Sequence, residues 1–379
     1  MNEFWKKEDV FLDGDQYFDA LLSDIDGAQK LITIEIYIFN DDVVGKRITK
    51  HLIEAHKRGV EVQIIVDGVG SYGFFDRLYG EFEAAGIIVK MFHPLPILHP
   101  FYGDIGFKQK VHAFFTRIWR MNQRNHRKII TIDSFTMYVS SYNFTIEHTK
   151  DYEHNKWKDM GVRVEGDHTK LAVLNFKKIW KLKEYFKLRK ELKGMLKKAK
   201  YSPLRMSSTM FMKRFLYREM LHRIQKAQNR IWLVTPYFIP KGRLILALGK
   251  AAKRGVDVRI LISQETDVKL FRTLQTFYYP YLLQKKVKVF QYNKTILHAK
   301  NFIIDDFITV GSSNLNHRSL LHDLEVDLSI QNQNNKEIIS KDFIHSAEPE
   351  LEITLEYLKQ RTLFDTFLSR LFFVFKYWF

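Results

Sequence analysis

Two stretches of the chain carry the same nucleophilic, cationic and amide side chains at nearly the same spacing. In each, one residue separates a His from a Lys, an Asp lies five residues after the Lys, and Ser and Asn follow. The sets are His126, Lys128, Asp133, Ser141 and Asn143 in the first stretch and His298, Lys300, Asp305, Ser313 and Asn314 in the second. A single His-x-Lys carries little information in a Lys-rich chain, but its recurrence with the same partners predicts a shared site.

The residue types suit a reaction at a phosphodiester. Side chains alternate across a strand, so His and Lys two residues apart share a face. Lys ammonium groups and Asn amides, assisted by Ser141 and Ser313, would bind the non-bridging oxygens and stabilise transition-state charge. One neutral imidazole would attack phosphorus, and the other, protonated, would serve as general acid and then general base. Because lysines supply the positive charge, we expect neither a metal nor a cofactor.

Two further pairs of acids follow from this reading. We group Asp133 and Asp305 with the catalytic motifs, although their opposite parity predicts a structural role where the strand turns back. An attacking imidazole also needs an acceptor on its far nitrogen. Asp159 follows the first motif and Glu325 the second, each in a strand-like stretch, and both are candidates. Asp323 and Asp327 share the parity of Glu325 and remain alternatives to it.

An internal repeat predicts the elements that position these residues. KRGVEV at 57–62 recurs as KRGVDV at 253–258, each preceded by a helical pattern and followed by an apolar strand. The strand-like stretch 31–39 matches 231–239. Strand, helix, tight turn and strand form a βαβ pattern, so we expect an α/β fold with a largely parallel sheet in each half. An insertion around 94–123, in the first half only, is either a substrate lid or a solvated loop.

The composition, a basic segment between the two halves and a C-terminal segment point to a protein bound at a membrane surface. The formal net charge is +17 and cysteine is absent, which excludes a disulfide scaffold and indicates a polyanionic partner. Residues 176–200 hold ten Lys and one Arg against two Glu, and their apolar residues, among them Phe176 and Trp180, recur roughly at helical spacing. Residues 363–379 carry an aromatic amphipathic stripe. Either is a candidate membrane contact, or else a linker helix and core. Without a signal peptide or spanning segment, we expect peripheral attachment to the cytoplasmic membrane, on its cytoplasmic face.

The two motifs resemble those of the phospholipase D superfamily, and the segments YFIP at 237–240 and KRGVDV at 253–258 resemble bacterial cardiolipin synthases without N-terminal transmembrane helices. The resemblance implies two similar α/β/α domains related by a pseudo-twofold axis, with the active site at their interface. It implies transfer of a phosphatidyl group between phosphatidylglycerol molecules, with His126 as nucleophile, His298 as acid, and Asp159 and Glu325 as orienting acids. We divide the chain into domains at 1–175 and 204–362, a linker helix at 176–203 and a C-terminal helix at 363–379.

The sequence departs from the family motif twice and leaves other functions open. Ser140 and Ser141 replace a glycine-containing pair, which would crowd the phosphate, and the second hairpin is one residue short, which threatens the register of Asn314 with His298. A hydrolytic phospholipase D, a metal-independent nuclease and a non-catalytic lipid-binding module are the alternatives. We expect an anionic phospholipid membrane as partner and no nucleic acid, and we predict no oligomeric state.

Overall fold

A computed structural model describes residues 4–94, 123–193, 202–266, 269–360 and Ser369. The insertion at 95–122 and the C-terminal helix predicted at 363–379 lie outside these residues, apart from Ser369, which is helical and buried. No helix in the described ranges is long and apolar enough to cross a bilayer.

The first half is a seven-stranded sheet with helices on both faces, in the strand order β1-β7-β6-β5-β2-β3-β4. Its elements are β1 (Lys7–Phe11), α1 (Gly14–Gly27), β2 (Leu31–Ile36), α2 (Val43–Lys57), β3 (Glu61–Asp67), α3 (Phe74–Arg77), α4 (Tyr79–Ala84), β4 (Ile88–Phe92), β5 (Ile129–Ile132), β6 (Thr136–Ser140), a 3₁₀ turn (Ile146–His148), β7 (Gly161–Glu165) and α5 (Thr169–Trp180). A further helix, α6 (Leu182–Glu191), leads towards the second half.

The second half repeats this sheet strand for strand, in the order β12-β11-β9-β13-β14-β16-β8. Its elements are β8 (Leu204–Met206), α7 (Met210–Lys226), β9 (Arg230–Val234), β10 (Phe238–Ile239), α8 (Gly242–Lys253), β11 (Asp257–Ser263), α9 (Lys269–Gln275), a 3₁₀ turn (Thr276–Tyr278), α10 (Tyr279–Gln284), β12 (Lys288–Tyr292), β13 (Asn301–Ile304), β14 (Phe307–Gly311), β15 (Leu315–Asn316), α11 (His317–Leu321), β16 (Val326–Ser329), α12 (Gln333–Ser346), a 3₁₀ turn (Pro349–Leu351) and α13 (Leu355–Lys359).

The βαβ units are confirmed, but the prediction of largely parallel sheets is wrong. β2 pairs with β3, and β9 with β11, in parallel, each across a helix that ends in the repeated turn. Gly59 and Gly255 sit in these turns at φ +93° and +92°, a conformation that favours glycine. Four of the six strand pairs in each sheet are nevertheless antiparallel, because the motif strands form hairpins and a short strand from each half's start adds at the far edge.

The repeat is also offset by one residue from the match drawn on the sequence. Leu31 pairs with Glu61 and Arg230 pairs with Asp257, and these two acids are equivalent in the KRGV motif. Leu31 therefore corresponds to Arg230, and the strand match at 231–239 begins one residue late.

The basic linker is not one amphipathic helix. Lys181 adopts an extended backbone (φ −157°, ψ 106°) and separates α5 from α6. Phe176 and Trp180, assigned to the apolar stripe of the linker, instead pack against Ile65 in the first half. The predicted helix therefore begins inside the first domain, and its membrane-facing stripe is partly core.

The two halves share a core where their sheets face each other. Ile129, Val139 and Val162 from the first sheet belong to the same buried cluster as Ile303 and Val310 from the second. Helices α1 and α2 cover the outer face of the first sheet and α7 and α8 that of the second. Helices α5 and α12 also contribute to this shared cluster, through Ala172 and Phe343, so each half has helices on both faces of its sheet in an α/β/α arrangement. The motif strands β5 and β13 lie at the shared interface.

Candidate active site

Each motif histidine is positioned by a short strand-like contact with the opposite half. The residue before His126 forms a parallel bridge, Asn125 to Leu324, and the residue before His298 forms the equivalent bridge, Leu297 to Lys158. The His126 amide donates to the Leu324 carbonyl over 3.0 Å, and the His298 amide to the Lys158 carbonyl over 2.8 Å. Both histidines therefore sit beside the residue that precedes an orienting acid of the other half.

Each orienting acid consequently contacts the histidine of the opposite half. Nδ1 of His126 lies 3.1 and 3.0 Å from the two carboxylate oxygens of Glu325, and Nδ1 of His298 lies 2.6 Å from Oδ2 of Asp159. Along the chain each acid follows the histidine of its own half, yet the structure pairs it with the other. A carboxylate accepts and Nδ1 donates, which leaves Nε2 of each imidazole unprotonated and available for phosphorus.

A buried ionic network holds the segment around His126 in place. The Arg127 guanidinium lies 3.1 Å from Glu35 and donates to the Ser207 carbonyl of the second half over 2.9 Å. Asn125 donates its side-chain amide to Glu35 and its backbone amide to Asp67, both over 2.8 Å. Because these charges are paired and hydrogen-bonded, they fix the segment across the interface without an uncompensated buried charge.

The motif lysines are buried side by side with the histidines. Lys128 Nζ donates to the carbonyl of His126 over 3.0 Å, and Lys300 Nζ donates to the carbonyl of His298. Burial, followed by repulsion from Lys300, lowers the pKa of Lys128 to about 7. Repulsion between the two ammonium groups favours an anion between them, and a bound phosphate would restore the charged form of Lys128.

The side chain of Asp159 is ionised at neutral pH. It accepts from the Ser141 hydroxyl, and Nδ1 of His148 lies 3.3 Å from its Oδ2. The Asn143 amide donates to Nε2 of His148 over 3.2 Å, so the His148 proton is on Nδ1, facing Asp159. Although burial opposes ionisation, the charge and hydrogen bond of His298 hold the pKa of Asp159 below its ordinary value.

Glu325 has a different environment. It accepts from the hydroxyls of Ser312 and Ser319, which had not been assigned a role on the sequence. Burial raises the pKa of Glu325 to about 7, against the lowering effect of these two hydroxyls. The alternative acids are engaged elsewhere: Asp323 accepts from the Arg124 amide over 2.9 Å, and Asp327 from Ser313.

The second serine of the site is Ser312 rather than the predicted Ser313. The amides of Ser141 and Ser312 donate to equivalent carbonyls, those of Met160 and Val326, and both hydroxyls donate to an orienting acid. Ser313 instead donates its amide and hydroxyl to Asp327. Counting from the Asn of each motif would have identified Ser312, because it occupies the Ser141 position of the repeat.

The same count identifies the remaining positioning residues. His148 lies five residues after Asn143 and Ser319 five after Asn314, and each accepts the amide of that asparagine. Both also contact the acid of their own half. The carbonyl oxygen of the Asn143 side chain accepts from the Ile38 amide over 3.3 Å, which leaves the amide donors of Asn143 available for a ligand.

Both imidazoles favour the neutral form, for different net reasons. Burial, and then the charges of Lys128 and Lys300, hold the pKa of His126 well below its ordinary value. Burial and Lys300 also lower the pKa of His298, but Asp159 opposes them through its charge and hydrogen bond. The His126 ring contacts Tyr37 at 4.8 Å between centroids and the His298 ring contacts Trp157 at 5.6 Å. One imidazole is thus suited to attack, and the other lies beside a fixed negative charge.

The two motif aspartates lie away from the imidazoles. Asp133 accepts the backbone amides of Gln29, Lys30 and Leu31, and Asp305 accepts those of Gln228, Asn229 and Arg230. Both follow the motif strand at the end opposite the histidine and have positive φ values, 52° and 51°. Their observed contacts tie the hairpin to the start of the neighbouring strand, which is the structural role that parity predicts.

Three ligand-type atoms do converge near one histidine. One ring nitrogen of His148, one of His298 and an oxygen of Asp159 lie within 4.8 Å of one another, a grouping that could hold a metal ion. An ion there would take from His298 the acceptor that fixes its tautomer. The hydrogen-bonded arrangement suits an imidazole that transfers protons.

Comparison with known proteins identifies the family. A family model described as cardiolipin synthase, PLD-like domain, matches residues 21–180 and 220–347. Cardiolipin synthase B of Salmonella typhi is 32% identical over 326 residues, which cover 84% of this chain and 75% of the relative. Cardiolipin synthase of Clostridium perfringens is 28% identical over 373 residues, covering 94% and 73%. The chain belongs to the cardiolipin synthase family of phospholipase D-like proteins.

A solved structure supports the fold alone. The crystal structure of phosphatidylserine synthase from Haemophilus influenzae superposes with a TM-score of 0.68 at 13% identity, over 98% of this chain and 94% of that one. The two matched stretches of the family model agree with the two similar halves seen here.

The structure accounts for Ser140, the first departure from the family motif. Ser140 pairs with Gly161 across β6 and β7, whereas its equivalent Gly311 pairs with Asp327. A Cβ on Gly311 would meet the Val326 carbonyl oxygen at 2.2 Å and Asp327 Oδ1 at 2.4 Å. In the first half the glycine lies on the other strand, and Ser140 turns to donate to the Tyr17 hydroxyl over 3.1 Å. Ser140 therefore does not crowd the phosphate side.

The short second hairpin keeps its register, so the concern over Asn314 is not realised. Three residues, 133–135, connect β5 to β6, and two residues, 305 and 306, connect β13 to β14. The Ser140 amide still donates to the Lys128 carbonyl and the Gly311 amide to the Lys300 carbonyl, both over 3.2 Å. The turn thus absorbs the missing residue before the strands reach the motif.

Proposed function

We propose that this chain is a cardiolipin synthase that transfers a phosphatidyl group from one phosphatidylglycerol to another through a phosphohistidine. One observation carries the proposal. Two imidazoles each have Nδ1 held by a carboxylate of the opposite half, with Nε2 left as the reactive atom, next to two buried lysines. The family relationship supplies the substrate class, since the related proteins are named cardiolipin synthases.

In the first step Nε2 of His126 attacks the phosphorus of the donor, and the bond from phosphorus to the glycerol oxygen breaks. Protonated His298 gives its proton to that oxygen, and glycerol leaves. Lys128 and Lys300, with the amides of the two motif asparagines, stabilise the charge on the non-bridging oxygens. The product of this step is a phosphatidyl group bound to His126 and a neutral His298.

In the second step His298 takes the proton of a hydroxyl on a second phosphatidylglycerol, and that oxygen attacks phosphorus. The bond to His126 breaks, cardiolipin is released, and both imidazoles return to their starting states. The assignment of roles follows from the acids. The charge of Asp159 opposes the lowering of the His298 pKa and so supports its protonated form, whereas His126 faces the less acidic Glu325 and has a pKa well below its ordinary value, which suits the neutral nucleophile.

The location follows from the substrates. Both lipids reside in a bilayer, so we propose that the protein works as a peripheral protein on an anionic membrane, at the cytoplasmic face. The high net charge of +17 supports attraction to such a surface.

The test is incubation of the purified protein with phosphatidylglycerol vesicles in the presence of EDTA, with lipids and glycerol quantified by mass spectrometry. We expect cardiolipin and glycerol in equal amounts. His126→Asn should abolish both turnover and the covalent adduct, and His298→Asn should slow turnover while an adduct formed from an activated diester persists. Phosphatidic acid without cardiolipin would identify a hydrolase. Unchanged lipid together with cleavage of single-stranded DNA would identify a nuclease.

A further inference from the structure

Helix α7 exposes bulky apolar side chains in its first turns. Phe211 is 76% exposed, Met210 47% and Phe215 38%, and they follow one another on the solvent side of the helix. Arg214 and Arg218 are exposed on the same side. Aromatic and methionine side chains flanked by arginines are typical of helices that lie in the interface of an anionic bilayer.

A cationic cleft opens beside this face, between α7, the start of α8 and α11. Its basic residues are Arg214, Arg218, Lys241 and Arg243, and no Asp or Glu is among the residues that line it. In the described part of the chain, none of these four forms an ion pair with a carboxylate. By contrast Arg205 and Arg223, also near α7, both pair with Glu219.

Lys241 is repelled by two of the other cations in the cleft. Burial, and then the charges of Arg214 and Arg243, lower the pKa of Lys241. A group of like charges that lacks a protein counterion is stabilised by an external anion. Apart from His317, the remaining side chains of the cleft are mainly apolar, from Tyr217, Leu221 and Leu320, which suits a phosphate attached to a hydrophobic body rather than a free polyanion.

We propose that the first half of α7 and this cleft form the surface that docks on an anionic phospholipid bilayer. Phe211, Met210 and Phe215 enter the interface, and the cleft receives the phosphate of a lipid headgroup. The proposal refines the proposed function, on which it rests for the presence of a bilayer substrate. Tyr217 and Leu320 also line the pocket that reaches Ser319 and Glu325, so the docked face adjoins the active site.

The surface differs from the basic helix that the sequence indicated. The lysines of α6 are also exposed, as is Phe186 on the same helix, but Glu184 of α6 supplies a counterion to the nearby Lys177 and Lys181. The aromatic residues upstream, Phe176 and Trp180, are core. The two helices therefore offer a matched comparison. Arg214→Ala/Arg218→Ala/Arg243→Ala removes three cations from the proposed surface, and Lys183→Ala/Lys187→Ala/Lys190→Ala removes three exposed cations from α6.

The experiment is flotation of the full chain with vesicles of phosphatidylglycerol and phosphatidylcholine, at low and high salt, with thermal unfolding to verify folding. Each basic contact contributes about a fivefold change in partition, so the arginine variant should bind roughly a hundredfold more weakly. The α6 variant should change binding less than threefold. Phe211→Ser, at a position 76% exposed, should reduce the binding that persists at high salt. Equal loss in both triple variants, or loss only in the α6 variant, would overturn the proposal.

Flotation does not depend on turnover, so the two proposals fail separately. A wild-type protein that floats through α7 but forms no cardiolipin would leave the docking surface standing and remove the proposed function. Cardiolipin formation by the wild-type protein, together with unchanged flotation of the arginine variant, would support the proposed function and refute the docking surface. A wild-type protein that ignores vesicles but binds single-stranded DNA through the same arginines would show a nucleic-acid site and refute the bilayer surface.

Discussion

Asp159→Asn isolates the charge that supports the protonated state of His298. The substitution keeps the size and an acceptor oxygen but removes the negative charge, 2.6 Å from Nδ1 of His298. The pKa of Asp159 is below its ordinary value, so this charge is present at neutral pH. With charge centres roughly 4 Å apart and an effective dielectric constant of about 20, its loss removes about 4 kcal/mol from the imidazolium. Proton donation by His298 should therefore slow by a factor of about 10³.

The assay compares two leaving groups in single turnovers. Phosphatidylglycerol releases a glycerol alkoxide, which needs the proton of His298, whereas a 4-nitrophenyl phosphodiester releases a stable anion that does not. We expect Asp159→Asn to slow adduct formation about 10³-fold with the glycerol leaving group and only a few-fold with nitrophenolate. Thermal unfolding of the variant, beside Ser141→Ala as a substitution that removes a neighbour but no charge, measures any loss of fold.

Glu325→Gln provides the matched contrast. Glu325 contacts His126, the assigned nucleophile, so its replacement should slow adduct formation by similar factors with both leaving groups. If Asp159→Asn slowed both reactions equally, His298 would not be the acid that protonates the leaving group. If instead the leaving-group dependence appeared in Glu325→Gln, the two histidines would have the opposite roles.

Three other perturbations test the remaining structural conclusions. The pH profile of kcat/KM should be a narrow bell near pH 7. Burial raises the pKa of Glu325 to about 7, so the orienting carboxylate is lost on the acid side. On the alkaline side the phosphate-binding ammonium is lost, because burial lowers the pKa of Lys128 to about 7, and the acid form of His298, whose pKa burial also lowers, is lost as well. A flat profile from pH 5 to 9 would contradict this. Asp305→Ala should lower the free energy of unfolding by roughly 2 kcal/mol, because three backbone amides lose a charged acceptor, and it should change kcat by no more than a few-fold. A loss of kcat without a loss of stability would give Asp305 a catalytic role. Gly311→Ala should lower the free energy of unfolding by roughly 1 to 3 kcal/mol, because the added Cβ would contact the facing strand. Ser140→Gly, at the equivalent position of the first half, should lower it by less than about 1 kcal/mol. Equal unfolding midpoints for the two variants would refute the packing argument.

Local patterns predicted much of the fold. The βαβ units follow from strand and helix periods joined by a turn whose glycine needs a positive φ, as at Gly59 and Gly255. The parity of Asp133 and Asp305 also indicated their structural contacts. The predominance of antiparallel pairs was missed. The motif hairpins were indicated by the sequence, but the other antiparallel pairs join strands from distant parts of the chain, such as β1 against β7, which local patterns do not identify.

The linker shows why helical spacing alone misplaced a boundary. Phe176 and Trp180 fit the same apolar stripe whether they face a membrane or Ile65, since the period of a helix does not identify what covers it. The break at Lys181 has no composition signal in the surrounding run of lysines. The residues of the site were easier to predict from the sequence than this helix boundary, because the repeat supplies two copies of each position.

The crossing of the acids could not be predicted from spacing, and it explains how two similar halves divide one reaction. Within each half the acid follows its own histidine, but the bridges from Asn125 to Leu324 and from Leu297 to Lys158 exchange the partners. The acids are the point where the halves differ: an aspartate that stays ionised faces one imidazole, and a glutamate with a raised pKa faces the other. A symmetric pair of imidazoles would favour the same protonation state, whereas attack and proton donation require opposite states. Crossing also makes each imidazole dependent on the opposite half, so neither half alone can fix the tautomer of its own histidine.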